Sequence, residues 1–152
     1  MSIKDSRIIG GTSASSGEFP FAVALTRNGQ IFCGGTVYES LYVVTAAHCF
    51  RDETGAISFD TTGIEVRIDC VNYVRCPDDN IFQIAQLIPN PAQNPVTNEN
   101  DILVIKLDRP TNAQPVSLIM TSTASAECPC NEVCHVTIHL YCDMSYSDDC
   151  VR

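Results

Sequence analysis

The stretch IEVRID, residues 64–69, decides the fold class. Ile64, Val66 and Ile68 fall on one face of an extended chain and Glu65, Arg67 and Asp69 on the other. This is the two-residue period of a strand with core on one side and water on the other. Five further runs outside it are short, β-branched or aromatic and bounded by Gly, Pro, Asn or Asp: FAVAL (21–25), QIFCGG (30–35), LYVVTA (41–46), IFQIAQLI (81–88) and ILVIKL (102–107). No helical period is sustained for three turns, and no segment repeats. Six short strands with turn-rich links predict an all-β protein, a small antiparallel six-stranded barrel whose closure removes exposed edges.

Composition narrows the function classes. The 152 residues carry 18 acidic and 9 basic side chains, a net charge of −9, with no basic cluster. A nucleic-acid backbone or an anionic membrane surface is therefore a poor partner. No apolar run approaches the roughly 20 residues that span a bilayer. Nine cysteines point to a disulfide framework and an extracellular setting. The opening MSIKDSRIIGG has no apolar core of a secretory signal, so either such a signal has been removed or the start is incomplete. An odd cysteine count leaves at least one thiol free, paired with another chain, or marking a truncated framework.

Four segments then have to be read together: RIIGG (7–11), GEFPFAVAL (17–25), FCGGTVYESLYVVTAAHCF (32–50) and NENDILVIKLDRP (98–110). Their order and spacing closely resemble the first half of trypsin-like serine proteases, over about residues 7–120. The resemblance implies the amino-terminal barrel of that fold and the chemistry of a serine endopeptidase, with no cofactor or metal and with a protein or peptide as substrate or partner. It makes His48 the general base and Asp101 the carboxylate that orients it. Chemically, a serine hydroxyl is a poor nucleophile until an imidazole takes its proton, and the imidazole must be held in one tautomer by a carboxylate on its other nitrogen. The resemblance also pairs Cys33 with Cys49, closing the histidine loop; such a closure is worth about 2 to 4 kcal/mol. It marks Arg7 and Ile8 as a zymogen cleavage site, with an ordinary exposed segment as the plainer reading. Cys70 and Cys76 in CVNYVRC lie outside the family pattern; they either staple their own loop or remain two thiols.

Beyond the resemblance the chain departs from the family. Residues 1–7 read as a short pro-segment, 8–120 as the barrel, and 121–152 as an irregular cysteine-rich tail. All 8 glycines lie at or before Gly63, while five of the nine cysteines lie from Cys128 onward. The family's G-D-S-G-G is absent, and an oxyanion hole of backbone amides beside a nucleophile calls for a tight glycine turn. Ser145 and Ser147 in CDMSYSDDC have bulky and acidic neighbours, poor surroundings for a developing oxyanion. In CPCNEVCHVTIHLYC (128–142), His135 and His139 on a helix could share a zinc ion. The alternation of Val136, Ile138 and Leu140 favours a strand, which holds them about 13 Å apart, and disulfides among Cys128, Cys130, Cys134, Cys142 and Cys150 in an order the sequence does not reveal. The resulting expectation is a protease relative with the histidine and aspartate but without the attacking serine, inactive as this chain. The alternative is a non-enzymatic homologue that binds a protein partner.

Overall fold

The computed structural model describes residues 14–117, in which seven strands form one antiparallel sheet. Strands β1 (Ala22–Arg27), β2 (Gln30–Glu39) and β3 (Tyr42–Thr45) pair in succession as a meander. The β1–β2 link is the dipeptide Asn28-Gly29, with φ of 51° and 78°. Both residues adopt the left-handed conformation that a two-residue hairpin turn requires. Strand β4 (Ile64–Ile68) pairs with the outer edge of β1, and β7 (Leu103–Leu107) with the outer edge of β3. Two short strands complete the order β5-β4-β1-β2-β3-β7-β6: β5 (Ile81–Phe82) beside β4 and β6 (Ile84–Pro89) beside β7.

One expected element is corrected. Residues 81–88 are not one strand, because Gln83 breaks them: its amide donates to Asp108 Oδ1 at 2.9 Å and its carbonyl accepts from the Asp108 amide at 3.0 Å. Strands β5 and β6 thus lie on opposite edges of the sheet although a single residue separates them in the chain. That crossing draws the two edges together, and the sheet is nearly closed into a barrel. The six expected strands become seven for this reason alone.

The interior is filled by the alternating faces. Ile64, Val66 and Ile68 are buried inward while Glu65 and Arg67 pair with each other on the outer face, Nη2 to Oε2 at 2.5 Å. The alternation ends at Asp69, whose φ of 54° turns the chain out of the strand. At the β1–β2 irregularity the register skips between Leu25 and Thr26, and both residues are fully buried.

Gly35 leaves no room between β2 and β3. A Cβ there would lie 2.9 Å from the Val44 carbonyl oxygen and 3.0 Å from Val43 Cγ1. The first contact is backbone held by sheet pairing, so it does not swing aside. Gly35→Ala is expected to destabilise the barrel by about 1 to 3 kcal/mol, read as a lowered urea midpoint with an unchanged slope.

Candidate active site

His48 sits in a 3-10 turn, Ala47–Phe50, one residue after the end of β3. Side chains three apart eclipse in such a turn. Ala47 and Phe50 therefore enter the core together, at 0% and 1% exposure, and His48 is left at the rim. Phe50 packs edge-on against Phe32 of β2, with ring centroids 6.0 Å apart and planes at 83°. Cys49, the remaining residue of the turn, is joined to Cys33 of β2 with a Cα separation of 6.1 Å. Just before the turn, buried Thr45 donates its hydroxyl to the Gly34 carbonyl at 2.7 Å. The histidine's backbone is thus anchored by two buried side chains, a disulfide and a cross-strand hydrogen bond.

Asp101 reaches the same rim by register. Thr45 pairs with Leu103 across β3 and β7, so the residue three past Thr45 and the residue two before Leu103 leave the sheet at the same end. The loop that delivers Asp101 is shaped by asparagines. Asn94 accepts from the Val96 amide at 2.9 Å, its own amide donates to the Glu99 carbonyl at 2.9 Å, and the Asn98 amide returns to the Asn94 carbonyl at 3.0 Å. Asn98 and Asn100 have φ of 58° and 55°, which asparagine tolerates better than most residues.

The carboxylate grips the histidine twice. His48 Nδ1 lies 2.6 Å from Asp101 Oδ2, and the His48 backbone amide donates to Oδ1 at 2.8 Å. Asp101 is largely covered, its side chain 18% exposed, while the imidazole is 42% exposed. A carboxylate on Nδ1 assigns the proton to that nitrogen and leaves the lone pair of the neutral ring on Nε2, on the far side of the ring. Four residues past His48, Asp52 accepts from the Thr54 hydroxyl at 2.6 Å and from the Thr54 and Ala56 amides. These bonds, the hydroxyl's above all, hold its carboxyl below the usual aspartate range and fix the turn that leaves the histidine segment.

Sulfur and nitrogen atoms of Cys33, Cys49 and His48 lie within 4.8 Å of one another. Both sulfurs are consumed by the disulfide, so neither is the thiolate that a zinc site requires. Cys70 and Cys76 are also joined, with a Cα separation of 5.3 Å, and close a loop whose 3-10 turn Tyr73–Arg75 is capped by the Asn72 side chain. Arg7 and Ile8 lie outside the described residues. So do Ser145, Ser147, His135, His139 and the five tail cysteines. What reading the residues missed is the set that carries Asp101, namely Asn94, Asn98, Asn100 and Arg51. The N-P pairs at 90–91 and 94–95 are turn signals that pointed to it.

Comparison with known proteins agrees with this architecture. The family model described as Trypsin matches residues 8–138. Serine protease SP24D of Anopheles gambiae is 36% identical over 121 residues, which are 76% of this chain and 42% of that protein. Trypsin alpha-4 of Lucilia cuprina is 34% identical over 122 residues, 80% of this chain and 42% of that protein. Human Trypsin-3 is 32% identical over 130 residues, 82% of this chain and 39% of that protein. Among solved structures, neuropsin, a serine protease expressed in the limbic system of mouse brain, superposes with a TM-score of 0.54 at 24% identity. That superposition covers 70% of this chain and 46% of neuropsin, and speaks for the fold alone. The chain spans about two fifths of the length of the curated relatives it matches. With the family model covering most of its length and a barrel of the matching fold, the chain belongs to the trypsin family of serine proteases.

Proposed function

We propose that this chain supplies the proton-handling half of a serine endopeptidase, with His48 as general base and Asp101 as its orienting carboxylate, and does not itself supply the nucleophile. The observation that carries this reading is the double hold of Asp101 on His48, at Nδ1 and at the backbone amide. A base held in this way takes the proton of a serine hydroxyl at Nε2 as the oxygen attacks a peptide carbonyl. It then returns the proton to the leaving amine, forming an acyl-enzyme, and water repeats the cycle to release the acid. The relatives are named as proteases and trypsins, which favours a protein or peptide substrate.

The absence of any glycine from Ile64 to Arg152 supports the second part of the proposal. A glycine-free stretch is a poor source of the close backbone turn that lines an oxyanion hole. In this reading residues 8–120 are the barrel, 121–152 a divergent tail, and 1–7 a pro-segment removed by cleavage between Arg7 and Ile8. Cysteine usage favours an extracellular setting. Among the described residues no helix is long and apolar enough to cross a membrane.

A fluorophosphonate probe applied to the Arg7-cleaved protein tests the proposal. No serine of the 152 residues should be modified. Stoichiometric labelling of Ser145 or Ser147, located by peptide mass, would show that the chain carries its own nucleophile.

A further inference from the structure

We infer that Arg51 is a positioning residue that locks Asp101 and its loop against the histidine turn, an inference resting on the reading of His48 and Asp101 as a base and its orienting group. Arg51 directly follows the 3-10 turn, and its amide donates to the His48 carbonyl at 3.2 Å. From there its side chain, 13% exposed, reaches the loop that delivers Asp101. Nη1 donates to Asn98 Oδ1 at 2.8 Å and to the Pro95 carbonyl at 3.3 Å. With the Gln93 amide oriented to satisfy both partners, its oxygen accepts from Nε and Nη2. Nη2 also lies 3.8 Å from Asp101 Oδ1, the same oxygen that accepts the His48 amide.

One guanidinium therefore meets the loop at Gln93, Pro95, Asn98 and Asp101, and the short main chain of the turn ties it to His48. The chemistry suits arginine specifically. A rigid planar fork with five donors can meet several acceptors at fixed angles, whereas an ammonium on a flexible stem meets one at a time. A largely covered carboxylate is costly unless paired, and the Arg51 guanidinium is a permanent cation close to Asp101. The loop needs such a clasp because it contains two left-handed asparagines and the exposed Val96, and lies outside the sheet pairing.

The test uses the full 152-residue chain with its disulfides intact and reads two signals of the pair itself: the far-downfield proton resonance of His48 Nδ1–H and the hydrogen exchange of the His48 backbone amide. The unaltered protein should give both the resonance and a protected amide, and Asp101→Asn should abolish the resonance. Arg51→Gln should broaden the resonance and speed His48 amide exchange by about 10-fold, the loss of a charged hydrogen-bond network, while amides of β1 and β4 keep their protection. Arg51→Lys should recover only part of the protection, since it restores the charge without the fork. A resonance and an exchange rate left unchanged by Arg51→Gln would overturn the inference while leaving the base reading intact. A resonance absent from the unaltered protein, or surviving Asp101→Asn, would overturn both. Should Arg51→Gln fail to fold, Arg51→Lys carries the test, and His48 exchange unaltered in that variant would equally refute the role of the guanidinium fork.

Discussion

If His48 and Asp101 act as the proposed base and its orienting carboxylate, Asp101→Asn is expected to lower kcat by about 10⁴-fold in any form of the protein in which a nucleophilic serine faces His48, with little change in KM. The substitution preserves shape and removes one acceptor. The new carboxamide would still take the His48 backbone amide through its oxygen, which turns its NH₂ toward Nδ1 at the 2.6 Å contact. Two donors cannot share that contact, so the imidazole must present an unprotonated Nδ1 and carry its proton on Nε2. A ring in that tautomer has no lone pair to offer an attacking hydroxyl. Steady-state kinetics on a peptide ester, with the serine-bearing half joined in the same polypeptide or supplied in complex, measures the effect. A loss below about 10-fold would mean that Asp101 does not set the tautomer.

Phe50→Ala has the largest expected effect on stability, about 3 to 5 kcal/mol. Phe50 is 1% exposed, fills the barrel beneath the histidine turn and meets Phe32 edge-on. Truncation leaves a cavity that the sheet cannot close, because β2 and β3 are fixed by pairing on both sides. Against the usual stability of about 5–15 kcal/mol for a domain, this is about a fifth of the total at the least. Urea unfolding followed by far-ultraviolet circular dichroism reads it directly. The same truncation frees one of the two residues that pin the turn, so His48 amide protection should fall with stability. The Cys33–Cys49 link still holds the far end of the turn.

The sheet was legible because a strand's evidence is local. Ile64, Val66 and Ile68 alternate with charged neighbours, and burial follows that alternation residue by residue. The runs around residues 22, 30, 42 and 103 likewise carry their own β-branched signature, and the strands found there differ from expectation only at their ends. The break at Gln83 was not legible. Ile81 to Ile88 is apolar enough for one strand, and the residue that divides it is Asp108, 25 positions away. Hydrophobicity identifies what wants to be extended, whereas an edge's choice of neighbour depends on which other edges arrive.

The candidate site divides along the same line. His48 and Asp101 were marked as residues by a resemblance of motifs, but they are 53 positions apart, and their 2.6 Å contact depends on the pairing of Thr45 with Leu103. Arg51 had no mark at all. A lone arginine after a cysteine and a phenylalanine reads as surface, and its partners lie 44 and 47 positions on, in a loop whose path is set by asparagine turns. By itself the sequence determined that the chain forms short strands around an apolar interior, and that no glycine is present after Gly63 to build a tight turn. Only the tertiary structure decided how the edges close, which carboxylate oxygen meets which nitrogen, and what clasps the loop between them. Alternation and composition are properties of neighbouring residues, while register, closure and ion pairing arise only when distant segments meet in one packed arrangement.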